Sequence, residues 1–326
     1  MSPSPVPASR SRALVTGVAG FIGSHVAEAL LQSGCAVRGV DCFSDNYARP
    51  QKLANLRHLA DWEAFEFVPI DLARGSLHDL VEDCDTVAHL AAEPGVRSSW
   101  GARYEHYLRN NVLATQHLLE AVRDVPALRF VHASSSSVYG EGTVRPTAEH
   151  EPPRPRSPYG QTKIAAEHLC DLYHANFGVD AVRLRYFTVF GPRQRPDMAF
   201  QRICSAALAG DTFEIYGDGR QTRDFSYVDD VVAATLAAAR FALDGQRVFN
   251  VGGGSPASLV EAVAVVAELS GRPVQVSHLP TEHGDVRHTA ADITLARRVL
   301  GFVPSVSLAD GLTRQFEWLL AGPSAR

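Results

Sequence analysis

The sequence has no paired-cysteine pattern, no basic stripe and no apolar run long enough for a membrane span. Its five cysteines, Cys35, Cys42, Cys84, Cys170 and Cys204, contain no Cys-x-x-Cys spacing. They read as reduced thiols of a cytoplasmic protein, which excludes a disulfide frame and a zinc centre. The formal net charge of -5 excludes the basic footprint of a nucleic-acid binder. The most apolar long stretch, 231–243, is Ala-rich, preceded by Asp229 and Asp230 and interrupted by Arg240. It is too short to cross a bilayer and reads as a buried helix. The first residues are Pro-, Ser- and Arg-rich without an apolar centre, so 1–11 is expected to be a disordered tail and not a signal peptide. Neither nucleic acid nor membrane is expected as a partner.

What is present is 326 residues with 45% hydrophobic content, enough for a large core and two lobes. Residues 13–17 read as a buried strand. Residues 20–33 carry helical spacing through Ile22, Val26, Ala29 and Leu30, and Gly34 is placed to end that helix. Strands follow at 36–41, 65–72 and 85–92, then a long helix at 104–123, a strand at 129–135, a helix from Tyr159 to 176 and a strand at 181–190. This alternation predicts an α/β fold, a Rossmann-type doubly wound parallel sheet with helices on both faces. Beyond Gly191 the loops lengthen, which predicts a smaller α/β substrate-binding lobe closing over the carboxyl edge of the sheet. The expected division is a cofactor-binding domain at 12–188, joined by segments near 228–252, with 189–326 mainly substrate-binding.

Gly17, Gly20 and Gly23 lie between the first strand and the first helix. Glycines there allow a tight turn and let backbone amides, including those of Phe21 and Ile22, approach a pyrophosphate at the helix N-terminus. Asp41 closes the second strand. It can accept from a ribose 2′-hydroxyl and would repel a 2′-phosphate, so the expected cofactor is NAD rather than NADP. Asp71, at the end of a later strand, is a candidate for the adenine edge or a turn residue.

Tyr159 and Lys163 are four apart and share a helix face. An ammonium beside a phenol is expected to lower the phenol pKa, and a serine hydroxyl from a neighbouring strand can bond the same substrate oxygen. Such a set can remove an alcohol proton while hydride leaves the carbon. The serine run is Ser134 to Ser137, with Ser134, Ser135 and Ser136 as the candidates.

The motifs Thr-Gly-x-x-Gly-x-x-Gly, His89-Leu90-Ala91-Ala92, Asn110-Asn111-Val112, Ser-Ser-Ser-Val-Tyr-Gly, Tyr-x-x-x-Lys and Arg185-Tyr186-Phe187 occur in this order. Together they resemble the extended short-chain dehydrogenase/reductase family, in its nucleotide-sugar epimerase/dehydratase branch. The resemblance implies Tyr159 as general base, Lys163 as its partner, and Ser135 as catalytic serine, with Ser134 and Ser136 beside it as alternatives. It implies cofactor contacts at Asn46, Leu72, Leu90, Ala91, Ala92 and Tyr186, and a role for Asn111 in holding the cofactor geometry.

The 4,6-dehydratases of the family carry an acid pair where this chain has serines, which argues against dehydration. Thr188 through Met198, together with Pro94-Gly-Val-Arg97-Ser-Ser-Trp100, resembles the UDP-glucuronate 4-epimerases. A uronate brings a carboxylate, and Arg193 or Arg195 beside Thr188 can hold it, Arg195 being favoured. The resemblance further implies Arg97, Met198, Tyr216, Arg223, Asp285 and Arg287 as UDP-sugar contacts. Glu282 stands where many relatives have an arginine, so the diphosphate falls to Arg223 and Arg287. The expected reaction is NAD-dependent 4-epimerisation of a UDP-sugar through a 4-keto intermediate. Another UDP-hexose 4-epimerase, a UDP-glucuronate decarboxylase and a non-catalytic dinucleotide sensor remain as alternatives. Dimers of the family pair through a four-helix interface including the catalytic helix, so a homodimer is expected. Leu169, Leu172 and Tyr173 serve either that interface or the core.

Overall fold

The computed structural model describes residues 11–142, 144–242 and 245–322. Its centre is a seven-stranded, wholly parallel sheet. Across the sheet the strands run Val248–Val251, Asp180–Tyr186, Arg129–Ser135, Thr86–His89, Arg12–Thr16, Ala36–Asp41 and Phe65–Pro69. Ala13, Leu14 and Val15 are fully buried because helices cover both faces. One apolar cluster lies on the face of helices Phe21–Gln32 and Val228–Arg240 and includes Val26, Leu30 and Val231. The other lies on the face of Ala114–Val122 and Pro158–Phe177 and includes Leu118 and Cys170.

The strand order reverses on either side of Arg12–Thr16, whose neighbours are the second and fourth strands of the chain. Such a switch point opens a crevice at the carboxyl ends of the strands. Over that edge, helices Ala199–Ala209, Leu259–Ser270 and Leu308–Ala321 pack together, beside the parallel pair Phe213–Tyr216 and Val276–Leu279.

Several expectations are adjusted. The first strand begins at Arg12, one residue earlier than expected, and Arg12 is held by ion pairs to Asp83 at 3.0 Å and Glu66 at 3.5 Å. The expected tail, apart from Ser11, lies outside the described residues. The expected helix 104–123 is interrupted by a π-helical turn, Leu108–Leu113. The expected strand 181–190 divides. Asp180–Tyr186 stays in the main sheet, while Val189–Phe190 turns to pair with Ser226–Tyr227. The Ala-rich helix is Val228–Arg240 and contains both Asp229 and Asp230 in its first turn. Among the described residues, no helix is long and apolar enough to cross a membrane. All five cysteines are free.

Candidate active site

A cavity of about 380 Å³ lies at the switch point. Gly17, Gly20, Phe21, Ile22 and Gly23 form one wall. Gly17 has φ +69°, and a Cβ on it would meet Ala91 Cα at 2.9 Å. A Cβ on Gly23 would lie 2.1 Å from the Gly17 carbonyl oxygen. The glycines therefore let the turn fold onto the helix start. Gly20, the N-cap of Phe21–Gln32, offers no side-chain cap, so the first amides remain available to a ligand. This cradle, with the acid beside it, fits a dinucleotide. Gly23→Ala must push the backbone apart, and NAD bound per protomer, measured after gel filtration, is expected to fall at least tenfold.

Asp41 sits at one end of the cavity. Its carboxylate accepts from Ala19 N at 3.1 Å and Phe43 N at 2.7 Å. Burial raises its pKa, and these amides oppose the rise. Asn46, Asp71 and Leu72 line the same end. Asp71 is already paired with Arg109 at 2.5 Å and Arg74 at 3.3 Å. Burial works against its charge, but the Arg109 bond, the Ala73 amide and the charges of Arg109 and Arg74 together outweigh it, and the carboxyl is held below its usual range. Leu90, Ala91 and Ala92 cross the cavity, and Thr16 Oγ1 accepts from Leu90 N and Ala91 N at 3.1 and 3.0 Å.

At the opposite end are Ser135, Tyr159 and Lys163. Helix Pro158–Phe177 begins with Ser157 accepting from Gly160 N at 3.1 Å, which puts Tyr159 in its first turn and Lys163 one turn later. A Cβ on Gly160 would come within 2.5 Å of the Ser137 carbonyl oxygen, so the glycine lets the helix start press against the serine loop. The Ser135 hydroxyl accepts from Ser137 N at 3.1 Å and lies close enough to the Tyr159 phenol to lower its pKa.

The expected lowering of the Tyr159 pKa is not found. Burial raises it, and the Ser135 bond and the Arg195 charge oppose the rise. Lys163 is buried too, and burial lowers it to about 8. The carboxylate that most supports its charge is Glu167, one helical turn further on.

Three residues are held by hydrogen-bond partners elsewhere in the protein. Ser134 lines the cavity, but its hydroxyl is bonded to Glu167 in the core. Tyr186 bonds Thr235 Oγ1 at 2.7 Å, leaving its ring to face the cavity. Asn111 does not line the cavity, where its neighbour Asn110 does. The Asn111 amide instead clamps the backbone of Glu93, accepting from its N at 2.6 Å and donating to its O at 3.0 Å. It also donates to Thr162 Oγ1 at 2.9 Å, tying the π-helical turn to the Tyr159 helix.

Ser136, Thr188, Arg195 and Met198 complete the cavity. Arg195 donates to both oxygens of Asp197, at 3.0 and 2.8 Å. Arg193 points away and pairs with Glu28 at 2.6 Å. Ser136 and Thr188 also open into a smaller cavity of about 140 Å³ that reaches Arg223 and Asp285. Burial lowers the Arg223 pKa. Arg223 donates to the Thr222 and Arg287 carbonyls at 3.0 and 3.3 Å. Arg97 bonds Asp285 at 2.9 Å and lies 4.0 Å over the Tyr216 ring. Tyr216 and Arg287 line neither cavity. Arg287 is exposed and turned to Asp218 at 3.0 Å.

Tyr47, Lys52 and Glu93 also line the main cavity and escaped the sequence reading, and Ser137, the last of the serine run, lines it too. For Tyr47 and Lys52 the only available signal was closeness to Asp41. Tertiary contacts such as Asn55 Nδ2 to Ala19 O at 3.0 Å bring that segment over the glycine turn.

Residues 13–252 match the NAD dependent epimerase/dehydratase family. The chain is 43% identical over 308 residues to an uncharacterized UDP-glucose epimerase of Bacillus subtilis (strain 168), covering 94% of this chain and 97% of that protein. It is 38% identical to a UDP-glucuronate 4-epimerase of Thermodesulfobacterium geofontis (strain OPF15), covering 94% and 95%. The crystal structure of a UDP-glucuronic acid 4-epimerase from Bacillus cereus, with UDP-glucuronic acid and NAD, superposes with a TM-score of 0.91. That protein is 42% identical, and the match covers 95% of this chain and 99% of the other.

Proposed function

This chain belongs to the NAD-dependent epimerase/dehydratase family, and on that premise we propose that it interconverts UDP-glucuronate and UDP-galacturonate. One observation carries the choice of sugar. Arg195 shares the cavity with Ser135, Tyr159 and Thr188, and its charge acts on the Tyr159 phenol. A guanidinium so close to the proton-transfer group suits a substrate whose carboxylate lies one carbon from the reacting centre.

Gly17, Gly20, Gly23 and Asp41 would hold NAD, which when bound would supply the acceptor and donor of the hydride at carbon 4. Tyr159 takes the 4-hydroxyl proton, and the Ser135 hydrogen bond stabilises the oxygen as its charge changes. Lys163 supplies positive charge behind the phenolate. Once the sugar has turned over, the phenol returns the proton to the ketone oxygen. Thr188 and Arg195 hold the uronate carboxylate. The 4-keto sugar is a β-keto acid: if its C5–C6 bond aligns with the ketone π system, carbon dioxide leaves and the electron pair passes into an enolate. A carboxylate held out of that alignment survives.

Incubation with UDP-glucuronate and no added NAD is expected to yield UDP-galacturonate, identified by NMR, from cofactor that stays bound. A mainly pentose product would instead make the protein a decarboxylase. Faster conversion of UDP-glucose than of UDP-glucuronate would make it a hexose epimerase. Arg223 is assigned to the diphosphate because its buried charge has no carboxylate bonded to it among the described residues. Arg223→Met is expected to weaken UDP binding, read by calorimetry, about 30-fold or more.

A homodimer forms part of the same reading. Leu172 and Phe177 on the Tyr159 helix are 56% and 53% exposed, and Leu108 and Leu113 on the preceding helical stretch are 39% and 40% exposed. Leu169 and Tyr173 pack into the core. Sedimentation at micromolar concentration is expected to give a dimer, and Leu172→Glu a monomer with bound NAD retained. The free thiols suit a cytoplasmic setting. The division into an NAD-binding part at 12–188 with 228–252 and a nucleotide-sugar part belongs to this proposal as well.

A further inference from the structure

The chain carries 31 Lys and Arg residues, and only Lys52 and Lys163 are lysines. The other 29 basic positions, 31 less 2, are all arginine. Lysine is therefore scarce here, yet both lysines line the main cavity. Lys163 has a role in the proposed mechanism. Lys52 has none.

Lys52 sits in the helix Arg49–Ala60 and is 3% exposed. Its Nζ donates to Ser44 O at 2.5 Å and to Ser44 Oγ at 3.2 Å. An ammonium has three N–H groups, so one lacks an acceptor among the described residues. The charge also lies 4.6 Å from the Tyr47 ring centroid. No ion pair with Lys52 forms among the described residues. Burial lowers its pKa, while Asp41, Cys42 and Glu93 oppose the fall in that order. Asp41 is the acid at one end of the cavity, and Glu93 directly follows Leu90-Ala91-Ala92. The glycine turn runs between these two points. The segment carrying Lys52 is fastened to that turn by Asn55 Nδ2 to Ala19 O at 3.0 Å.

We propose that Lys52 is a pyrophosphate-binding residue of the cofactor site, giving its remaining N–H to a phosphate oxygen of the dinucleotide. Backbone amides and a helix N-terminus supply only partial charges to the two phosphates. A buried ammonium supplies a full one, and a charge-assisted bond is roughly twice as strong as a neutral one. The need is specific to a cofactor regenerated in each cycle, which must stay bound through every turnover. A guanidinium is broader than an ammonium, and the ammonium's compactness suits the space beside Ser44 and Tyr47. The inference concerns the NAD site and stands whichever sugar is the substrate.

Two lysines make the test direct. Protein grown on lysine labelled with 13C at Cε gives two lysine signals, assigned with Lys52→Met. In protein freed of NAD, adding ADP-ribose is expected to shift the Lys52 signal, and saturating adenosine, which has no phosphate, is expected to leave it in place. An unmoved signal with ADP-ribose, or an equal shift with both probes, overturns the proposal. By calorimetry, Lys52→Met is expected to weaken ADP-ribose about tenfold to a hundredfold and adenosine less than threefold. Equal losses on the two ligands would mark Lys52 as a structural tether of the Ser44 loop and overturn the proposal. The wild-type titration decides the matter even if the variant folds poorly.

Discussion

Replacing Tyr159 by phenylalanine is expected to lower kcat for 4-epimerisation by roughly 10³-fold or more, with bound NAD and UDP-sugar affinity within about threefold of wild type. The change removes one oxygen. It leaves the ring, whose edge contact with Tyr107 has a centroid separation of 6.2 Å, and it leaves the Ser157 cap that starts the helix. The phenol is the acceptor of the 4-hydroxyl proton and the donor that returns it, so both halves of the reaction lose their proton carrier. A drop confined to kcat marks an interaction made in the transition state; a matching rise in KM would mark ground-state binding. Quench-flow or coupled NMR assays on UDP-glucuronate give kcat, and absorbance after denaturation gives bound NAD. A variant retaining more than a tenth of wild-type kcat would remove Tyr159 from the role of base. Tyr159 and Lys163 would then be packing residues of their helix.

The sheet strands and the glycine turn were legible because each is a local pattern. Strands 36–41 and 129–135 have the expected limits, since apolar runs between helices leave little freedom. Four features were illegible because they depend on distant partners. The run Ser134 to Ser136 is uniform in sequence, but the buried Glu167 takes Ser134 while Ser135 meets Tyr159. Asn111 reads as a residue that holds the sheet edge and cofactor geometry, but its partner Glu93, and the π-helical turn that sets Asn110 rather than Asn111 against the cavity, are not legible locally. The Tyr159 pKa was judged from Lys163 alone. Burial of both groups, which no spacing rule reports, reverses the direction. Arg287 matches a motif, but the Asp218 carboxylate draws it to the surface.

The network that takes Ser134 also makes the second large prediction. Arg185 donates from Nε to Glu167 Oε1 at 3.0 Å and from Nη2 to Oε2 at 2.7 Å, with both side chains nearly inaccessible. Its Nη1 reaches the Tyr139 hydroxyl at 2.8 Å and the Glu149 carbonyl at 3.1 Å, and Tyr139 in turn donates to Asn250 Oδ1 at 2.7 Å. The network joins the Tyr159 helix, the serine strand and the edge strand Val248–Val251. Arg185→Met strands the Glu167 carboxylate in the core, and urea unfolding is expected to show a loss of about 3–5 kcal/mol. Replacing both partners, Arg185→Met with Glu167→Leu, removes the stranded charge and is expected to recover most of that loss, because apolar pairs of similar volume can substitute for a buried ion pair. Activity is expected not to recover with stability. Glu167 is the main support for the Lys163 charge, which burial already lowers to about 8. Without Glu167, Lys163 gives up its proton at still lower pH, so the ammonium behind Tyr159 is lost sooner as pH rises. The double variant should be well folded, with the alkaline limb of its kcat profile moved to lower pH. A double variant with wild-type stability and an unmoved alkaline limb would show that Glu167 serves the fold alone.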